Sequence, residues 1–242
     1  MDNEPQAAAV DPIRDATSRI TTAHGGPVIS GSTYHPWLVD SEFMELCARI
    51  EGHSMVDHMR CFELWGLVAE TAKVEGDILE VGVWRGGTGC VMAARAQMIG
   101  REGVVFLCDT FRGVVKAGAI DPYSGGEHAD TEIGIVNRLL LKENIHNCIV
   151  LPGIFPDDTG EIIAARRFSL CHIDVDVYQS GLEVFEWVWP RTPPGGVVVF
   201  DDYGFSGCIG ITILAEELRA RRDLIFIHNL NGHAILVKTK NQ

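Results

Sequence analysis

The sequence predicts an α/β protein: a doubly wound, mostly parallel sheet with helices on both faces, ended by an antiparallel hairpin and preceded by a helical arm. Three observations predict it. From residue 78 onward, short apolar runs closed by Gly or Asp alternate with segments of helical period. The first run opens through a glycine-rich turn into a helix. The last two runs have no helix between them, only a loop carrying Asn231 and Gly232, a hairpin turn signal.

The elements follow in order. Met1 to about Gly31 is rich in Ala, Thr, Gly and Asp with weak periodicity, and reads as a flexible arm. From Trp37 to Ala72, Phe43, Leu46, Cys47 and Ile50, then Met55, Met59, Phe62, Leu64, Leu67 and Val68, recur at helical spacing on either side of Gly52. A helix pair is expected, serving as core packing or as a lid. Strands are expected at Ile78–Val83, Val104–Cys108, Ile149–Leu151, Phe168–Ile173, Gly196–Phe200, Leu224–His228 and Ala234–Lys238. Helices are expected at Thr88–Ile99, Glu132–Lys142, Tyr178–Val188 and Ile209–Arg221. Residues 1–54 are read as arm and helical lid, and residues 55–242 as the main domain.

Composition narrows the function. At 242 residues, 46% hydrophobic and 22% charged, the chain can bury a full core. A formal net charge of -13 opposes binding to nucleic-acid backbones and anionic membranes. The seven cysteines are scattered and never spaced C-x-x-C, so they read as free thiols, not a disulfide frame or a zinc site. The first 23 residues lack the apolar stretch of a secretory leader, and no apolar run is long enough to span a bilayer. A cytoplasmic protein is the expectation.

The turn Glu80–Gly89 (EVGVWRGGTG) lies where doubly wound sheets bind ligands, at the carboxyl end of a strand. Its spacing is not that of the dinucleotide G-x-G-x-x-G motif. Glu80, before the first glycine, suits a ligand bearing an ammonium group, such as the methionine end of S-adenosyl-L-methionine. Asp109 ends the second strand, where a carboxylate can accept hydrogen bonds from ribose hydroxyls. The bland alternatives are a tight turn without ligand and an N-cap.

Two further strand ends carry Asp174 and Asp176 (HIDVDVY) and Asp201 and Asp202 (FDDY). Both pairs should share one sheet edge with the glycine-rich turn. Four carboxylates crowded there raise each other's pKa values, and a hard divalent cation, Mg²⁺ first, removes that penalty. Such a cation lowers the pKa of a substrate hydroxyl and orients it. Asp176 is the first choice for the general base, with Asp174 able to share the role. Capping of helices or turns is the competing account. His172 reads as a packed histidine before a ligand, and Tyr178 and Tyr203 as either pocket or core.

These residues resemble the macrocin O-methyltransferase family. The resemblance rests on Glu80–Gly87 (EVGVWRGG), Asp109–Gly113 (DTFRG), Pro152–Asp157 (PGIFPD), Asp174-x-Asp176-x-Tyr178 and Asp201–Tyr203 (DDY), and spans roughly Asp57 to Val237. It implies a class I methyltransferase (Rossmann-like) fold and S-adenosyl-L-methionine bound by Glu80, Gly82, Trp84, Gly86, Gly87, Asp109, Phe111, Gly153, Ile154, Phe155 and Asp174. It also implies Mg²⁺ held by Asp174, Asp201 and Asp202, with the base among Asp174 and Asp176. The implied acceptor is a hydroxyl on a sugar of a bacterial natural product, and the implied assembly a homo-oligomer with a mobile N-terminal lid. Two stretches depart from the family pattern, the N-terminal arm and Val114–Asp130, and these are expected to contact the acceptor. The other readings kept are a methyltransferase for catechols or other diols, an NAD-dependent oxidoreductase, and a non-catalytic protein that binds a partner through the helix pair.

Overall fold

The computed structural model describes Ile20, residues 23–26 and residues 31–240. The expected arm over Met1–Gly31 lies almost wholly outside the described residues. Seven strands form one sheet: β1 (Asp77–Val81), β2 (Val105–Asp109), β3 (Cys148–Pro152), β4 (Phe168–Ile173), β5 (Val197–Phe200), β6 (Leu224–His228) and β7 (Ala234–Lys238). Among the described residues six α-helices of eight residues or more accompany them: α1 (Ser41–Arg49), α2 (His58–Thr71), α3 (Gly87–Met98), α4 (Ile133–Lys142), α5 (Tyr178–Val188) and α6 (Ile209–Leu218). Every strand and helix expected downstream of residue 77 is present.

The strand order is β3-β2-β1-β4-β5-β7-β6. Pairs β1–β2, β1–β4, β2–β3 and β4–β5 are parallel, whereas β7 runs antiparallel between β5 and β6. The order reverses between β1 and β4, the switch point where such sheets bind ligands.

Alternation along the strands separates two cores. Ile78, Leu107, Leu170, Val199 and Ile235 face α1–α4, while Leu79, Val81, Phe106, Ile173, Phe200 and Leu236 face α5 and α6. The helix pair resolves as core: Phe43 and Leu46 of α1 and Leu64, Trp65 and Val68 of α2 are buried among the sheet residues of the first cluster. The expected division at residue 54 therefore cuts through one shared core. The helical pattern from Trp37 also breaks, because Pro36–Val39 form a 3₁₀ turn and Asp40 then caps α1 through the Phe43 N–H at 3.0 Å.

Candidate active site

The carboxyl ends of the five parallel strands are zipped together beyond the ladder. Gly82 donates to the Cys108 carbonyl, Asp174 to Val81, Asp201 to Ile173 and Gly153 to Asp109, each at 2.9 Å. The register Val81–Ile173–Phe200 sets Gly82, Asp174 and Asp201 side by side. A cavity of about 380 Å³ opens above them, within the range of small-molecule sites. Its wall includes Gly82, Trp84, Asp109, Gly153, Ile154, Phe155, Asp174, Asp176, Asp201 and Asp202. The two aspartate pairs and the glycine-rich turn thus share one edge, as expected.

Four predicted residues sit elsewhere. Glu80 is fully buried and points beneath α3, where its Oε1 accepts the His172 Nδ1–H at 3.0 Å. The cause is strand alternation: Val81 faces α5 and α6, so Glu80 faces the opposite side. It offers no surface to a ligand. Gly86 and Gly87 also lie off the cavity and serve packing. A Cβ on Gly86 would meet Val136 at 3.1 Å, and one on Gly87 would meet the His53 carbonyl oxygen at 2.6 Å. Phe111 packs against the first core, at a φ of 52°. Gly82 does line the cavity, but its missing side chain makes room for protein: a Cβ would stand 1.6 Å from the Asp174 carbonyl oxygen.

Asp109 is at the wall, and its carboxylate organises the turn. Oδ2 accepts the Val83 and Trp84 N–H groups at 2.7 and 2.8 Å, and Oδ1 accepts from Phe111 at 2.6 Å. These bonds hold Trp84 at a φ of 46°, rare for a bulky residue. Tyr178 and Tyr203 resolve toward structure. The Tyr178 hydroxyl donates to Glu217 at 2.7 Å, and Tyr203 is buried with its hydroxyl on Glu216.

Asp176 and Asp202 both occupy left-handed backbone conformations, at φ 65° and 60°, which aspartate tolerates better than most residues. Asp174 has no hydrogen-bond partner for its carboxylate among the described residues. Burial, then Asp201 and Asp202, push its pKa well above the ordinary carboxylate range. Burial, then Asp201 and Asp176, push Asp202 up to about 7. Asp176 is also raised, first by burial. Asp201 is the exception: burial would raise it, but His172, His233 and Arg60 outweigh that and hold it below the usual range.

Sequence reasoning missed several of these partners. Arg60, 6% exposed on α2, donates to Asp57 at 2.8 Å and to Asp201, and reaches Asp202 at 3.4 Å. Nothing in its helical spacing marks it as a site residue. Tyr123, from the stretch expected to contact acceptor, donates to Asp176 Oδ1 at 3.0 Å. Val114, Val115 and His128 of the same stretch also line the cavity. Asp121 pins that stretch by accepting the Tyr178 N–H at 3.0 Å. The link between α1 and α2 supplies another wall, His53 to Val56. All seven cysteines are free, and Cys208 sits against Asp176 at 3.6 Å.

The sheet order, the switch-point cavity and the terminal antiparallel strands define a class I methyltransferase fold. The chain belongs to the macrocin O-methyltransferase (TylF) family, whose model matches residues 48–225. It is 30% identical over 173 residues, 64% of this chain and 67% of the relative, to mycinamicin III 3''-O-methyltransferase of Micromonospora griseorubida. It is 31% identical over 146 residues, 56% of each chain, to an 8-demethyl-8-(2,3-dimethoxy-alpha-L-rhamnosyl)-tetracenomycin-C 4'-O-methyltransferase of Streptomyces olivaceus. The chain thus spans little more than half the length of that second relative. The solved structure of the O-methyltransferase NovP superposes with a TM-score of 0.68 at 24% identity, covering 78% of this chain and 83% of that one, and supports the fold. Among the described residues no helix is long and apolar enough to cross a membrane.

Proposed function

We propose that the protein transfers the methyl group of S-adenosyl-L-methionine to a hydroxyl of a sugar on a bacterial natural product, with Mg²⁺ bound beside the acceptor. The observation that carries this reading is the meeting of four aspartates with the glycine-rich turn in one cavity. The names of the curated relatives, which are O-methyltransferases of glycosylated compounds, support the acceptor class.

The cavity suits the cofactor. Gly153, Ile154 and Phe155 line one wall, and Asp109 keeps lone pairs free for ribose hydroxyls beyond its three backbone bonds. The donor set also suits a hard divalent cation. Asp174 is unpartnered, and Asp174 and Asp202 repel each other and Asp201. Asp174, Asp201 and Asp202 would hold it. When bound, the cation lowers the pKa of a ligated hydroxyl and neutralises the carboxylates. Asp176 lies on the cavity wall outside that set, its Oδ1 fixed by Tyr123, and takes the hydroxyl proton. The wall from the α1–α2 link and from residues 114–128 keeps water from the transfer. We also propose a cytoplasmic location and a homo-oligomer.

Titration calorimetry tests the reading. S-adenosyl-L-methionine binds and NAD does not, and turnover of glycosides carrying free sugar hydroxyls requires Mg²⁺ and stops with EDTA. Binding of NAD alone would return the chain to the oxidoreductases, and turnover of simple catechols without glycosides would reassign the acceptor.

A further inference from the structure

Behind the cavity floor lies a second cluster that shares only Asp201 with the proposed cation site. His172 on β4, Asp201 after β5 and His233 before β7 are 0%, 1% and 0% exposed. One ligand atom of each falls within 4.8 Å of the others. His172 Nε2 is 3.6 Å from Asp201 Oδ2, and His233 Nε2 is 3.5 Å from Asp201 Oδ1. These separations are too long for good hydrogen bonds. His172 Nε2, His233 Nε2 and Asp201 Oδ2 are buried without any partner.

The far side of each ring explains the arrangement. His172 Nδ1 lies 3.0 Å from Glu80 Oε1, and His233 Nδ1 lies against Glu63 Oε2. With each Nδ1–H on its carboxylate, a neutral ring turns an Nε2 lone pair inward, whereas a protonated ring turns a second N–H toward Asp201. In the neutral form, lone pairs face carboxylate oxygens in a dry interior, which is costly without a cation between them. A tetrahedral ion with bonds of about 2.0–2.1 Å sets its donor atoms about 3.3–3.5 Å apart, near the separation of each imidazole from its Asp201 oxygen, with the three ligand atoms all within 4.8 Å. Carboxylate behind imidazole is the arrangement that orients metal-binding histidines. Two histidines and one carboxylate suit zinc or another first-row transition ion, not magnesium.

The geometry points to a buried transition-metal site at His172 Nε2, His233 Nε2 and Asp201, in which both imidazoles lie outside the residues proposed for methyl transfer. It ties β4, β5 and β7 together beneath the cavity. Asp201 stands between it and the aspartates above, with Oδ1 toward Arg60 and Oδ2 toward His172.

The test uses the full chain, stripped with a chelator and then held in saturating Mg²⁺ while Co²⁺ is added. Calorimetry and visible absorption are expected to report one Co²⁺ equivalent with d–d bands. H233Q loses that equivalent, E63Q weakens it about 10- to 100-fold, and D174N keeps it, which separates it from the cation site above. Circular dichroism confirms that each variant is folded. In wild-type protein, the ¹⁵N shifts of both Nε2 atoms move on addition of Zn²⁺. The proposal is overturned if Co²⁺ binds H233Q as it binds the wild type, if no equivalent binds in the presence of Mg²⁺, or if both Nε2 atoms stay protonated throughout the Zn²⁺ titration, which would make the cluster a pair of imidazolium ions.

Discussion

Asp176 combines a left-handed backbone, a hydrogen bond from Tyr123 and a place on the cavity wall outside the proposed cation set. Asparagine at this position keeps the shape and the Tyr123 bond but removes the base. Asp176→Asn is therefore expected to lower kcat about 10²–10⁴-fold while S-adenosyl-L-methionine affinity by calorimetry stays unchanged. A decrease smaller than tenfold would move the role to Asp174. Asp223 illustrates a structural carboxylate by contrast. It accepts from Arg221 at 2.9 and 3.0 Å and from the Trp189 indole at 2.7 Å, and Arg221 first of all holds its pKa below the usual range. A depressed folded pKa stabilises the protein above the unfolded value and loses that contribution as pH falls toward the folded one. Asp223→Asn should then cost about 1–3 kcal/mol at neutral pH. In urea melts the gap to wild type should narrow below about pH 4, the unfolded carboxylate range; a gap that stays constant with pH would remove the electrostatic account.

At the scale of elements, the β1–α3 turn shows how one feature can be legible while its reason is not. The glycines of Glu80–Gly87 mark a strand-to-helix turn in the sequence, and a ligand is the obvious reason for them. The structure gives neighbouring protein as the reason: the Asp174 carbonyl against Gly82, Val136 against Gly86, and the His53 carbonyl against Gly87. Gly82→Ala puts a Cβ 1.6 Å from that carbonyl oxygen at a φ of 91°. It should destabilise by more than about 4 kcal/mol, read as a collapsed thermal transition with or without cofactor. A variant that folds normally and only binds cofactor poorly would restore the ligand account. Glu80 carries the same lesson, since its type suggested an ammonium partner and its strand register turned it to His172.

For the whole molecule, α1 is part of the sheet's own core. Burying Phe43, Leu46 and Ile50 contributes about 1.5–3 kcal/mol per side chain, together comparable to the net stability of a typical domain. A chain starting at residue 55 should fail to give a cooperative thermal transition, whereas one starting at residue 36 should keep it; cooperative folding of the shorter chain would make residue 54 a true domain boundary. By itself the sequence determined the alternation of strands and helices, the terminal hairpin and the shared edge of the aspartates, because hydrophobic period and turn residues are local properties. Only the tertiary structure decided the insertion of β7 between β5 and β6, the seat of Arg60 on Asp201 from 141 residues away, the closure of residues 114–130 over Asp176, and the meeting of His172 with His233. Those depend on which strands pair and which face each side chain takes, and no local pattern encodes the partner across the sheet.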